Sequence, residues 1–244
     1  MSKDQFMKSK GISGKIDMVN RRHSCGESNS LKVYIRTYGC QMNEYDSETM
    51  AGLLEDSGHH LTDSPAEAGV ILLNTCYVRE KVKHRIYSSL GELRKLKEEK
   101  PELILGLSGC LVQKEPEEIL QRAPYLDFIL GTSNFYQLPE VLAEISEDHG
   151  GQSQSEGKYC RVVRVQEDGA IPEGMPKVRK RGFSAFVSVM RGCNNFCSYC
   201  NVPYVRGREV SRSCRDILRE VEDLVLEGYK EITLLGQNVN SYHE

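Results

Sequence analysis

The sequence predicts an α/β protein in two parts: an N-terminal parallel α/β sheet domain, then a second unit that opens with a βαβ segment. Three observations predict it. Strand-like and helix-like stretches alternate along most of the chain, the signature of a parallel sheet with helical crossovers. The runs at 70–73 (Val-Ile-Leu-Leu) and 103–107 (Leu-Ile-Leu-Gly-Leu) are continuous in apolar character, as in strands covered on both faces. The length, 244 residues, holds one large domain or two small ones.

Residues 1–30 carry Lys, Ser, Gly and Asn without periodicity and read as a flexible tail. Residues 31–38 (Leu-Lys-Val-Tyr-Ile-Arg-Thr-Tyr) alternate at period two, and Gly39-Cys40 ends this strand. A helix follows with Tyr45, Met50, Leu53 and Leu54 on one face, and Gly58 stops it. After the strand at 70–73 come Asn74, Thr75 and Cys76, then a helix over about 78–97, rich in Lys and Glu. The strand at 103–107 ends in Ser108-Gly109-Cys110. A third helix is expected to run to about Ala123, followed by a short strand at 128–130 and a helix at 138–145. The domain spans 31–148 on this reading. Residues 149–182 read as a linker, acidic and rich in Gly and Ser at first. It then carries Pro172, Pro176 and a basic cluster, Lys177, Arg179, Lys180 and Arg181. The run 160–165 reads as a strand within it. The second unit, 183–244, contains a strand at 183–190, a helix at about 213–227 and a strand at 231–235.

Hydrophobic residues make up 39% and charged residues 27%, values of a soluble globular chain rather than a disordered or collagenous one. No apolar run approaches the length of a membrane span, and the polar start is unlike a secretory signal. These features point to the cytoplasm. There, nine cysteines, an odd number, argue against a disulfide framework. Metal or redox chemistry is the sharper reading, and small buried apolar residues the plainer one. Cys25 reads as incidental and Cys160 as structural.

Cys40, Cys76 and Cys110 each follow a strand, with separations of 36 and 34 residues, about one βα unit each. Parallel strands point the same way, so the three thiols fall on one edge of the sheet, the edge where open α/β sheets bind ligands. The second feature is Cys193-x-x-x-Cys197-x-x-Cys200 directly after a strand. Three thiolates in eight residues can hold three irons of a 4Fe-4S cubane and leave the fourth open to a substrate or cofactor. A zinc site with Cys214 as fourth ligand is the alternative, although no second paired knuckle accompanies it.

The Cys193–Cys200 triplet, with the aromatic Tyr199 before its last cysteine, resembles the radical S-adenosylmethionine (SAM) superfamily. Further motifs resemble its methylthiotransferases: Thr37-Tyr38-Gly39-Cys40-Gln41-Met42-Asn43, Asn74-Thr75-Cys76, Val78-Arg79-Glu80-Lys81, Gly109-Cys110 and Leu234-Leu235-Gly236-Gln237-Asn238-Val239-Asn240. Gly39-Cys40-Gln41-Met42-Asn43 is most similar to the tRNA-2-methylthio-dimethylallyladenosine synthases. Sister groups act on threonylcarbamoyl-adenosine in tRNA or on a ribosomal protein.

The resemblance implies that residues 183–244 begin a radical SAM partial (β/α) barrel. It implies two 4Fe-4S clusters: a SAM-cleaving one on Cys193, Cys197 and Cys200, and an auxiliary one on Cys40, Cys76 and Cys110. Tyr199 would lie by the adenine of SAM, and Gly236 and Gln237 by its methionyl part. The implied reaction is radical methylthiolation of isopentenyladenosine in the anticodon stem-loop of tRNA. Its implied partners are a sulfur donor and a reductant such as flavodoxin or ferredoxin, with no membrane. Two readings from other classes stand beside it: a non-catalytic iron–sulfur module and a zinc-stabilised interaction protein.

From Lys158 to Arg215 there are twelve Lys or Arg against four Asp or Glu, a local balance of +8 that leaves −11 for the rest of a chain of net charge −3. Such a basic belt suits a phosphate backbone, and Arg206 and Arg208 are its best candidates for substrate or cofactor contact. A solvated surface is the alternative. The resemblance also has departures. Cys214 stands where the family usually has proline, and Asn201 where it has an aliphatic residue. Only one βαβ unit of the second domain is present. The expectation is a fragment that binds clusters, turns over little or not at all by itself, and exposes apolar faces on its second unit.

Overall fold

The computed structural model describes residues 30–78, 80–150, 162–166, 171–180 and 182–244. All but the last residue of the expected tail, with Cys25, lies outside the described residues, as do Arg79, Cys160 and Arg181.

The first unit is a six-stranded, wholly parallel sheet. Its strands, in chain order, are β1 (Lys32–Thr37), β2 (His60–Leu61), β3 (Val70–Thr75), β4 (Ile104–Gly109), β5 (Phe128–Leu130) and β6 (Val162–Arg164). Their order across the sheet is β2-β1-β3-β4-β5-β6. The crossovers are α1 (Gln41–Asp56), α2 (Glu80–Glu99), the pair α3 (Cys110–Lys114) and α4 (Pro116–Arg122), and α5 (Leu138–Gly150). Every residue of β3 and β4 is buried, as their unbroken apolar runs require. Alternate side chains serve opposite faces. Ile71, Leu73, Leu105 and Leu107 pack with Ile86, Leu90, Leu111 and Ile119 of α2, α3 and α4. Val70, Leu72 and Ile104 pack with Met50 and Leu54 of α1 and with the apolar stripe of α5. Each such fully buried aliphatic side chain contributes about 1.5–3 kcal/mol.

A buried ion pair stitches this core. Lys97 at the end of α2 reaches both oxygens of Asp127, at 3.0 and 2.8 Å, and Asp127 Oδ2 accepts the Leu105 N–H at 2.7 Å.

Three local expectations change. The single third helix is two, because Glu115 precedes Pro116. A residue before proline is pushed out of helical geometry, and Glu115 has φ −134° and ψ 51°. The run read as a strand within the linker pairs with β5 and forms the edge of the first sheet. The strand at 183–190 divides into β7 (Ser184–Ser188) and β8 (Met190–Arg191).

In the second unit β7 pairs in parallel with β10 (Glu231–Leu235), and β8 pairs antiparallel with β9 (Val210–Ser211). The helix α7 (Cys214–Leu226) is capped by Ser213, whose hydroxyl accepts the Asp216 N–H. Ala185, Val187, Ile217 and Leu224 form its core. Phe183, Leu218, Val225, Leu226 and Leu234 remain exposed. The two units meet where Met42 and Tyr45 of α1 pack on Phe186 and Leu235.

Two of the four cations of the basic cluster before the second unit are used in structure. Arg179 pairs with Glu220 at 2.8 Å and Glu48 at 3.5 Å, Lys177 pairs with Glu220 at 3.2 Å, and the Val178 N–H donates to the Glu48 carbonyl. Burial alone would raise the Glu220 carboxyl, but Lys177 and Arg212 outweigh it and hold the group below the usual carboxylate range.

Candidate functional site

Cys40, Cys76 and Cys110 stand just past the carboxyl ends of β1, β3 and β4, three neighbouring strands of the sheet. Cys40 is the N-cap of α1, whose positive end therefore faces the site. Cys76 and Cys110 are buried and Cys40 is exposed. Burial pushes the Cys110 thiol up, and Arg206 works against that shift.

A buried polar net holds this edge. The Asn43 side chain accepts the Cys40 N–H at 3.4 Å and donates to Asn74 Oδ1 at 3.2 Å and to the Thr75 carbonyl at 3.1 Å. Asn74 donates back to the Asn43 carbonyl at 2.8 Å and to Ser47 Oγ at 2.9 Å. Asn43 and Asn74, which accompany Cys40 and Cys76 in sequence, thus lock the two strand ends together. Gly109 is required by both backbone and space: its φ is +100°, and an added Cβ would lie 2.3 Å from the Thr75 carbonyl oxygen. That backbone region is nearly closed to other residues, at a cost of about 1–3 kcal/mol. Gly109→Ala is therefore expected to destabilise the protein by at least that amount in denaturant titration and to displace Cys110 from its two partners. Unfolding midpoints unchanged from the parent would refute this.

The second trio lies on the loop between β8 and α6 (Val202–Arg206). Cys193 is buried, Cys200 half-buried and Cys197 exposed. The loop turns through Phe196, whose φ is +47°, and the Cys200 N–H donates to the Cys197 carbonyl at 2.9 Å. The Val202 N–H donates to Cys200 Sγ at 3.5 Å, the kind of contact that supports a cluster sulfur. Gln237, at the end of β10, accepts the Gly192 N–H and ties the loop to the sheet. Gly236 packs closely on the Met190 side chain. Tyr199 projects into solvent. Phe196 and Tyr204 meet edge to face, with the Arg208 guanidinium over Phe196 and the Lys114 ammonium over Tyr204.

A cavity of about 530 Å³ opens between the two units, lined among others by Met42, Asp46, Arg191, Arg206, Arg208 and Arg212. Arg206 is buried and pairs with Asp46 at 2.6 Å. Burial opposes its charge, but Asp46, Cys110 and Cys40 outweigh that and keep the guanidinium more firmly protonated than usual. Sequence reasoning selected Arg206 but missed Asp46. The available signal was a carboxylate four residues from both Met42 and Met50, and so on their apolar helix face. Among the described residues, no three His, Cys, Asp or Glu side chains lie close enough to hold a single metal ion. A cubane does not require that closeness, since each thiolate binds a different iron.

Residues 32–131 match the Uncharacterized protein family UPF0004, and residues 187–244 match the Radical SAM superfamily. A tRNA-2-methylthio-N(6)-dimethylallyladenosine synthase of Carboxydothermus hydrogenoformans is 50% identical over 212 residues, 86% of this chain and 46% of that protein. The synthases of the same name from Moorella thermoacetica and Clostridium novyi are each 49% identical, over 85% and 86% of this chain and 45% of their own lengths. The chain belongs to the radical SAM methylthiotransferase family. It spans a little under half the length of these methylthiotransferase relatives. The fold is also similar to that of the cobalamin-dependent S-adenosylmethionine radical enzyme OxsB with aqua-cobalamin bound. There the TM-score is 0.55 and the identity 12%, over 86% of this chain and 34% of that one. Membership in the radical SAM superfamily implies SAM and a 4Fe-4S cluster as cofactors. Among the described residues, no helix is long and apolar enough to cross a membrane.

Proposed function

We propose that this chain belongs to a cytoplasmic tRNA methylthiotransferase that converts isopentenyladenosine beside the anticodon to its 2-methylthio derivative. The observation that carries this reading is three cysteines at neighbouring strand ends and three more on one loop, in a chain about half identical to synthases of that name.

Cys193, Cys197 and Cys200 would hold the cluster that reacts with SAM, and Cys40, Cys76 and Cys110 an auxiliary 4Fe-4S cluster. When bound, the first cluster supplies a low-potential electron for cleaving SAM, chemistry that side chains alone do not offer. The residues do the positioning. Gln237 fixes the cysteine loop through the Gly192 N–H and would hold its shape around a bound cluster. Tyr199, exposed beside Cys200, suits the adenine of SAM, and Gly236 and Gln237 suit its methionyl part. The cavity would receive the adenosine, with Arg208 and Arg191 for its phosphates. The reductant is a low-potential carrier such as flavodoxin or ferredoxin, and a separate donor supplies sulfur.

Deleting the gene in its host and profiling tRNA nucleosides by mass spectrometry tests the function of the whole protein. The 2-methylthio derivative should disappear and isopentenyladenosine should accumulate in its place. An unchanged profile would overturn the proposal. Loss of the methylthio group from threonylcarbamoyl-adenosine instead would replace it with the sister reading.

A further inference from the structure

The strongest unexplained feature outside the sulfur ligands is Arg206. It lies at the end of α6, six residues past Cys200, so it belongs to the second unit, yet α6 packs on α3, the helix that Cys110 begins. Thr132 Oγ1 donates to the Val205 carbonyl at 2.6 Å and fixes the end of α6 against the sheet domain. Asp46 Oδ2 takes Nη1 at 2.6 Å. A carboxylate can receive a guanidinium through two parallel bonds, which would satisfy both terminal nitrogens. Here Nη2 is buried with no oxygen or nitrogen partner among the described residues, and the acceptor that the guanidinium meets besides Asp46 is the Cys110 thiol. Nine in ten buried polar groups do have a partner, so the exception points to an acceptor that the protein's oxygen and nitrogen atoms do not supply. The nearby candidates are the sulfurs of Cys110 and Cys40, both of which act electrostatically on Arg206. A cubane held by three thiolates is itself an anion whose sulfurs accept hydrogen bonds, and such bonds help set its potential.

We propose that Arg206, clamped by Asp46, is a positioning residue that offers its unpaired Nη2–H to a 4Fe-4S cluster on Cys40, Cys76 and Cys110 and offsets that cluster's negative charge. The inference rests on the two-cluster reading. It adds that the radical unit completes the wall of the auxiliary site, so the two sites share one structural element, α6. A plain ion pair would account for Asp46 but not for the unpaired nitrogen.

The test uses the full chain carrying Cys193→Ala, Cys197→Ala and Cys200→Ala, so that any cluster seen is the auxiliary one. After anaerobic reconstitution, iron is counted and the midpoint potential is read by a redox titration followed by electron paramagnetic resonance. This parent should hold about four irons. Arg206→Met should shift the potential to more negative values, because a positive charge and a donor are lost. Asp46→Asn should shift it the other way, and Arg206→Lys should fall between the parent and Arg206→Met. A merely structural pair would change stability without this opposition of sign. If the parent holds no cluster, the two-cluster reading itself fails. If the cluster is retained and all potentials coincide within titration error, this inference alone is overturned. Should Arg206→Met lose its circular dichroism signature, Arg206→Lys and Asp46→Asn decide by the same criterion.

Discussion

Replacing Asp127 with alanine is expected to destabilise the protein by about 3–5 kcal/mol, the cost of removing one partner from a buried ion pair. Lys97 would keep its charge in a nearly dry site, its side chain only 5% exposed, without the carboxylate that now meets it through both oxygens. The Leu105 N–H, inside the fully buried β4, would lose its acceptor as well. A stability of that size is a large share of what a domain has, so most of the variant should be unfolded or aggregated near physiological temperature. Chemical denaturation of the purified protein checks it. The paired change Lys97→Met with Asp127→Leu should recover much of the loss, because a pair replaced by apolar groups leaves no stranded charge. If Asp127→Ala unfolds within 1 kcal/mol of the parent (~1 kcal/mol being the scale of ordinary substitutions), the core described above is wrong at this point.

The second large effect concerns the cysteine loop. Replacing Cys193, Cys197 and Cys200 together should remove about half of the iron from the reconstituted chain and leave a single cubane. The surviving cluster should show no spectral response to SAM, and any SAM cleavage should fall to background. The complementary replacement of Cys40, Cys76 and Cys110 should also remove about half of the iron but keep the response to SAM. The asymmetry follows from the roles proposed for the two trios, which different elements hold. One trio sits on a loop fixed at the ends of β8 and β10, and the other on strand ends braced by Asn43 and Asn74. Equal loss of the SAM response in both variants would mean that the two trios do not act as separate sites.

Much of this arrangement is written locally in the chain. Continuous apolar runs name β3 and β4, and the βα period places Cys40, Cys76 and Cys110 at neighbouring strand ends, because parallel strands share one direction. The helix around Ile217 and Leu224 and the strand at Glu231–Leu235 carry equally local signals. The features that escape are those set by distant partners. Asp46 and Arg206 are 160 residues apart, and no local pattern encodes their meeting. Lys177 and Arg179 look like solvated or phosphate-binding cations until Glu220 and Glu48 arrive from other elements. The edge strand Val162–Arg164 is only three residues long, too short for a periodicity to distinguish it from an extended linker. The break at Glu115 was legible from Pro116, whose effect on the preceding residue is general, but the apolar pattern continues across it.

The central claim is that six cysteines form two separate cluster sites. Its most direct test is iron and sulfide analysis with Mössbauer spectroscopy on the chain purified and reconstituted without oxygen. The account predicts about eight irons per chain, all in 4Fe-4S form, with one site in each cubane free of cysteine and only one of the two altered by SAM. A chain that binds no iron under any loading condition, or that holds zinc in its place, would contradict it.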